Sequence, residues 1–381
     1  MTRDRNAPSA DFERRLFAEL LEACHSAVSG VGTGWDVSLR WSNPPGRRLK
    51  DFAARLGARA GFARRRFDAG EASEALADLV SRLDGLDRTY RLLGDERSRE
   101  LLVRLLAFRV LGPHHVALPL SNASLWRECA RIGRRDAEPG ETLPTPYGID
   151  LRRYSVAARN GPVRLHAHPL GIYAFFRLEQ YAYRHGAVSV EPAAGDVAVD
   201  GGGGWGDTVL WLADAVGPDG SVACVEFEAA NLRILRRNLE LNPKLAERAA
   251  VVERALWSAS GEELEFAAAG PSTSIGASDR TPAGGGVVRT IAIDDLVAER
   301  GLERVDFVKL DVEGAELPAL RGAERTLRRF RPKLAVAAYH RDEDLVDLPA
   351  WIDGLGLGYE LYLDHFTPGR DETVLFARPA A

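Results

Sequence analysis

The segment Val197-Ala-Val-Asp200-Gly-Gly-Gly-Gly-Trp-Gly206-Asp-Thr208 constrains this chain more than any other. A short apolar, β-branched run ends in an acid. Glycines follow, and then a helix-like stretch from Asp207 to Val216. The pattern predicts a strand, a tight turn and a helix N-terminus. Glycine is required in such a turn because the backbone takes dihedrals that other residues avoid, and because a ligand must approach the main chain closely.

From Val197 onward the sequence alternates strand and helix, the pattern of a doubly wound, mostly parallel sheet. Strands are predicted over Val197–Asp200, Ser221–Phe227, Ala250–Leu256, Val305–Asp311 and Lys333–Tyr339. Helices are predicted over Ala229–Leu241, Asp294–Arg300, Leu317–Phe330 and Leu345–Leu355. Asp294 and Asp295 read as helix N-cap residues. Glu262–Phe266 and Val287–Ile291 add short strands around a Gly/Ser-rich loop, Ala269–Gly286. Tyr359–Leu363 and Thr373–Ala377 are joined by so short a loop that they must form an antiparallel hairpin.

The first ~145 residues read differently, as a mainly helical domain. Helices are expected over Asp11–Val28, Glu71–Leu93 and Asp95–Leu111. The basic stretch Arg47–Phe67 reads as a solvated helix face, with a phosphate patch as the alternative. Residues 146–196 form a lead-in. Ile149–Val156 and Val163–His168 flank a turn, and Tyr173–Arg184 is predicted helical with Gly186 as its stop. The remaining domain then spans 197–381. His166 and His168 share a strand face, but no nearby Cys or acid motif accompanies them and no metal is expected.

Composition narrows the class. The net charge of −5 carries no nucleic-acid signature. No run of ~18 apolar residues predicts a membrane span. Cys24, Cys129 and Cys224 are unpaired in spacing, which argues against a disulfide framework or a zinc site and for the cytoplasm. The N-terminus lacks the apolar core of a signal peptide.

The glycine turn fits two templates. Gly201-x-Gly203-x-x-Gly206 matches the dinucleotide fingerprint. Asp200-x-Gly202-x-Gly204-x-Gly206 matches the acid-first motif of S-adenosylmethionine (SAM) methyltransferases. The acid favours SAM, because a carboxylate meets a cationic amino group and repels a pyrophosphate. The stretches VDGGGGWGDT, VEFEAANLRILRRNLELNP, TIAIDDL, VDFVKLDVEGAELPALRGAE and PKLAVAAYH make the chain from Asp200 to His340 resemble the FkbM family of SAM-dependent methyltransferases. The resemblance implies a Rossmann-like methyltransferase fold, SAM as cofactor, and transfer of a methyl group to a hydroxyl of a sugar, glycan or secondary metabolite. A nicotinamide-dependent oxidoreductase and a non-catalytic scaffold of the same fold are the alternatives.

Position then assigns candidate residues, since ligands of open α/β sheets sit beyond the carboxyl ends of the strands. Asp200, Gly202, Gly204, Gly206 and Glu226 are expected to bind cofactor, with Glu226 placed to accept ribose hydroxyls. Trp257 is expected to stack on the adenine, and Arg254 stands where an acid would meet the adenine amine. His340 is the expected general base and Asp311 its orienter, with His365 as the alternative base. Lys309 lies two residues from Asp311 on one strand face, as a catalytic candidate or as Asp311's ion-pair partner. Acids at Glu313 and Glu316 suit a helix start.

Overall fold

The computed structural model describes residues 10–28, 69–113, 115–120, 122–140, 142–275 and 285–380. The basic stretch 47–67 and residues 276–284 of the Gly/Ser-rich loop lie outside the described residues. At the centre is a seven-stranded sheet: β1 (Val197–Gly201), β2 (Ser221–Val225), β3 (Ala249–Val252), β4 (Phe307–Leu310), β5 (Lys333–Ala337), β6 (Tyr359–His365) and β7 (Thr373–Pro379). Its order is β6-β7-β5-β4-β1-β2-β3. β1 to β5 pair in parallel, and β7 enters antiparallel between β5 and β6. The strand order reverses between β1 and β4, so a crevice opens beyond their carboxyl ends. The fold is Rossmann-like, as the alternation predicts.

The buried apolar strands explain the layers. β4 is buried at every position, and parallel strands covered on both faces read as continuous apolar runs. On one face, helices Ala10–Val28, Leu83–Leu92 and Glu96–Leu111 share a single core with the sheet; Phe12, Leu102 and Phe108 belong to the same buried cluster as Val308, Leu334 and Leu363. The N-terminal helices are therefore packed onto the seven-stranded sheet. Asp95 caps the third of them, accepting from the Ser98 N–H at 2.8 Å; such a cap is worth ~1 kcal/mol. Leu93 bridges Leu361 and extends the β6 edge. The other face carries helix Asp207–Val216, buried from Thr208 to Val216, under the hairpin Asp150–Ala158/Gly161–Ala167. Among the described residues, no helix is long and apolar enough to cross a membrane.

Several local expectations change. Glu71–Leu93 is two helices, Ala69–Ser81 and Leu83–Leu92. Tyr173–Arg184 is not one helix. A wide π turn spans Tyr173–Arg177, Glu179 takes φ +50°, and Tyr183–His185 pairs with Val188–Val190 around Gly186 at φ +59°. Gly186 is thus a hairpin turn, not a helix stop. The strand expected over Ala250–Leu256 divides at a turn in which the Arg254 N–H donates to the Val252 carbonyl; β3 stays in the main sheet, while Ala255–Leu256 pairs with Thr290–Ile291 in a smaller one. The helix expected over Leu317–Phe330 breaks at Gly322, where a Cβ would sit 2.2 Å from the Trp257 carbonyl oxygen. Asp294 caps this second helix instead of its own, accepting from the Arg325 and Thr326 N–H groups. A further helix, Asn122–Arg135, carried no prediction.

Candidate active site

The glycine turn after β1 is built by backbone demands. Gly202 lies at φ +80°, and a Cβ there would fall 1.9 Å from the Asp311 carbonyl oxygen. A Cβ on Gly203 would meet the Cys224 sulfur at 2.3 Å. Both residues donate their N–H to the Val225 carbonyl, at 3.0 and 3.1 Å. Gly206 at φ +89° starts the following helix. Next to the turn, Glu226 extends β2 and accepts three backbone N–H groups: Gly204 at 2.8 Å, Phe227 at 2.7 Å and Glu228 at 2.8 Å. Burial pushes its carboxyl up to about 7, against the pull of those N–H donors.

Lys309 holds the turn from beneath. It is in register with Asp200 on the neighbouring strand. Its Nζ lies 3.1 Å from Asp200 Oδ1 and donates to the carbonyls of Gly201 and Gly202 at 2.9 and 2.7 Å. The expected pairing with Asp311 is replaced by this one. Burial works against the ammonium, but the Asp200 and Asp311 charges outweigh it and raise its pKa. Thr208 Oγ1 also donates to Asp200, at 2.8 Å. Asp200 is fully buried, occupied by these two partners, and does not line the crevice.

The crevice is a cavity of about 790 Å³. Gly202, Gly204, Glu226, Lys309, Asp311 and His340 line it together. Gly206, Trp257 and His365 do not. The Trp257 backbone is tied to Ile291 and abuts Gly322, which draws it away from the crevice. Arg254 does line the cavity and pairs with Glu299 at 3.0 Å. His365 is buried against Thr373 at 2.9 Å, and burial pushes its pKa down to about 4; the alternative base is sealed inside the hairpin. The His166 backbone N–H donates to Asn238 Oδ1, and His168 Nδ1 accepts from the Leu170 N–H while His168 lines the cavity.

Around the end of β4 and β5 the side chains are acidic. Tyr181 donates to Asp311 Oδ2 at 2.6 Å and Tyr339 to Oδ1 at 3.3 Å. His340 Nδ1 lies 2.9 Å from Glu316 Oε1, which also accepts the Val312 N–H at 2.8 Å. His340 Nε2 faces Glu313 at 3.4 Å and Asp311 at 3.5 Å. Burial opposes the imidazolium, but the Glu316 and Glu313 carboxylates hold its pKa well above the usual range. The base expected from the sequence thus has a carboxylate facing each of its ring nitrogens. Glu372, in the loop between β6 and β7, lines the same end and hydrogen-bonds Gln180. Burial and the Asp311 charge push its pKa up.

Tyr181, Glu313, Glu372 and Asp207 reach this site without having been singled out for it. Asp207, pushed up to about 6 by burial, was legible as the first residue after the glycines. Tyr181 and Glu372 come from a misread helix and a hairpin loop, and only the fold brings them here.

Comparison with known proteins places this geometry. Residues 188–361 match the model of the methyltransferase FkbM domain. Among solved structures, the chain is similar to a methyltransferase FkbM from Methylobacillus flagellatus KT, at 19% identity over 89% of this chain and 72% of that one, with a TM-score of 0.49. It is also similar to Aeropyrum pernix fibrillarin in complex with S-adenosyl-L-methionine, at 15% identity over 62% and 92%, TM-score 0.36. No curated protein matches. The match spans β1 to β5, so the part of the chain that holds the glycine turn, Glu226, Asp311 and His340 is similar to the methyltransferase FkbM domain.

Proposed function

We propose that this protein is a SAM-dependent methyltransferase that methylates a hydroxyl of a sugar or other small metabolite. The observation that carries this reading is the crevice between β1 and β4, with Glu226 and the glycine turn on one side and the Asp311–His340–Glu372 cluster on the other.

The residues on the β2 side suit the cofactor. Glu226 offers a buried carboxylate for ribose hydroxyls. Gly204 has open space where a Cβ would point, so a ligand can approach the main chain there. Asn231 lines the cavity, and its buried Oδ1 makes no hydrogen bond within the protein, which leaves an acceptor for an exocyclic amine. Asp207 adds a carboxylate for a cationic amino group. Bound SAM would supply a methyl group on a sulfonium, already a good leaving group.

The chain's task is then alignment and proton removal. Reacting atoms need to be held ~3–3.5 Å apart. The acceptor oxygen takes the methyl, the carbon–sulfur electron pair stays on sulfur, and the hydroxyl proton leaves to a carboxylate. Glu372 suits that last role best. Its raised pKa brings it toward the operating pH, where general bases are most effective. Tyr181 and Tyr339 fix Asp311 at the same end of the cavity.

Calorimetry and thermal shift with SAM, S-adenosylhomocysteine, NAD and NADP test the reading. Binding of SAM and its demethylated product is expected, since a ligand that binds only the folded state raises the midpoint. Stabilisation by a nicotinamide cofactor alone would overturn it. A hydroxyl-bearing acceptor screen with labelled SAM then tests the transfer.

A further inference from the structure

We propose that Asp311, Glu313 and His340 form a binding site for a divalent cation, of the Mg²⁺ or Mn²⁺ class, at the acceptor end of the cavity. One oxygen of each carboxylate and Nε2 of the imidazole lie within 4.8 Å of one another. His340 Nε2 is 3.5 Å from Asp311 Oδ1 and 3.4 Å from Glu313 Oε2. Metal–ligand bonds of about 2.1 Å separate two ligand atoms by about 3.0 Å at a right angle and about 3.4 Å at a tetrahedral one. The two distances from the histidine nitrogen match that spacing.

The histidine supplies an independent argument. Its side chain is only 9% exposed, and Nε2 has no closer partner than the Glu313 and Asp311 carboxylates at 3.4 and 3.5 Å. The other ring nitrogen is held at 2.9 Å by Glu316, itself buried and anchored on the Val312 N–H. Metal-bound histidines have this pattern: a carboxylate fixes one nitrogen and leaves the other aimed at the ion. The turn between β4 and the next helix serves the same end, with Glu313 at φ +52° bringing its carboxylate back over the imidazole.

Charge points the same way. Asp311, Glu313, Glu316 and Glu372 gather around one imidazole, while nearby Lys309 is taken by Asp200 and two carbonyls. Two carboxylates and one imidazole, without thiolate, select hard to borderline cations. The three ligands line the cavity, so the remaining coordination positions open onto it. A hydroxyl taking one of them would be oriented and made more acidic. That role in turnover rests on the methyl-transfer reading; cation binding itself does not, and is measured without turnover.

The test uses the full chain freed of metal with a chelator, titrated with Mn²⁺ and followed by loss of the free-ion electron paramagnetic resonance signal. One saturable site is expected, competed by Mg²⁺. Glu313→Gln and Asp311→Asn should each weaken Mn²⁺ binding by ~10–100-fold, and His340→Ala at least as much. Glu299→Gln, whose carboxylate pairs with Arg254 and is not among the three ligands, should leave it unchanged. Each variant's melting temperature is read alongside. Should His340→Ala fail to fold, the partly exposed Glu313 still decides the matter. Absence of a saturable site in folded wild type, or equal affinity in wild type and Glu313→Gln, would overturn the proposal. SAM binding, measured separately on the same metal-free protein, tells failure of the cation site from failure of the methyltransferase reading.

Discussion

Replacing Lys309 by Met removes the cation that ties β4 to the glycine turn. Methionine keeps most of the volume of the stem, so packing changes little. What is lost is the 3.1 Å pairing with Asp200 and the hydrogen bonds to the Gly201 and Gly202 carbonyls. Asp200 is then left fully buried with Thr208 as its remaining hydrogen-bond partner. Removing one partner of a buried ion pair costs ~3–5 kcal/mol, mostly because the other charge is left uncompensated. For 381 residues the unfolding entropy is ~0.8 kcal/mol/K, so the melting temperature should fall by ~4–6 °C. The double variant Lys309→Met/Asp200→Leu removes the orphaned charge and should recover much of the loss. The measurements are calorimetric melting for stability and SAM titration for the turn, whose carbonyls lose their tether. A loss below ~1 kcal/mol would mean the pair is dispensable and the turn is held by its own backbone bonds alone. Destabilisation of the double variant equal to the sum of the singles would refute the coupling of the two charges.

Gly202→Ala should lose SAM binding and more than ~2 kcal/mol of stability, since it combines a positive-φ penalty with a Cβ driven onto the Asp311 carbonyl; denaturant titration and calorimetry check both. Glu226, held near 7, takes up protons in the folded state that the unfolded chain has already released, so its stabilising contribution is complete below its ordinary value of 4.5 and is lost as pH rises through about 7. Glu226→Gln should therefore flatten the fall in melting temperature of the unliganded protein between pH 5 and 8, and an unchanged slope would contradict this. Glu372→Gln should lower turnover ~10²–10⁴-fold with SAM affinity nearly unchanged, which single-turnover kinetics with a working acceptor would read.

By itself the sequence determined the architecture around the crevice. The run Val197–Asp200 and its glycines announce strand, turn and helix because both constraints are local: β-branched residues favour a strand, and only glycine accepts the dihedrals that follow. The alternation of apolar strands and amphipathic helices gave the parallel sheet, and Glu226 stands at the strand end where it was expected. Tertiary structure decided the partners. Lys309 and Asp311 share a face two residues apart, yet Lys309 pairs with Asp200, because register across β4 and β1 sets those two side by side. Periodicity along one strand carries no information about its neighbour's register. His340 was legible as a titratable group at a strand end, but its state was not. Glu313 and Glu316 follow β4, His340 follows β5, and their separation is set only when the two strands pair. Tyr181 and Glu372 arrive from the turn before Tyr183–His185 and from a hairpin loop, far apart in the chain. Their chemistry exists only where the folded backbone brings them onto Asp311, because charge and hydrogen bonding act through space rather than along the sequence.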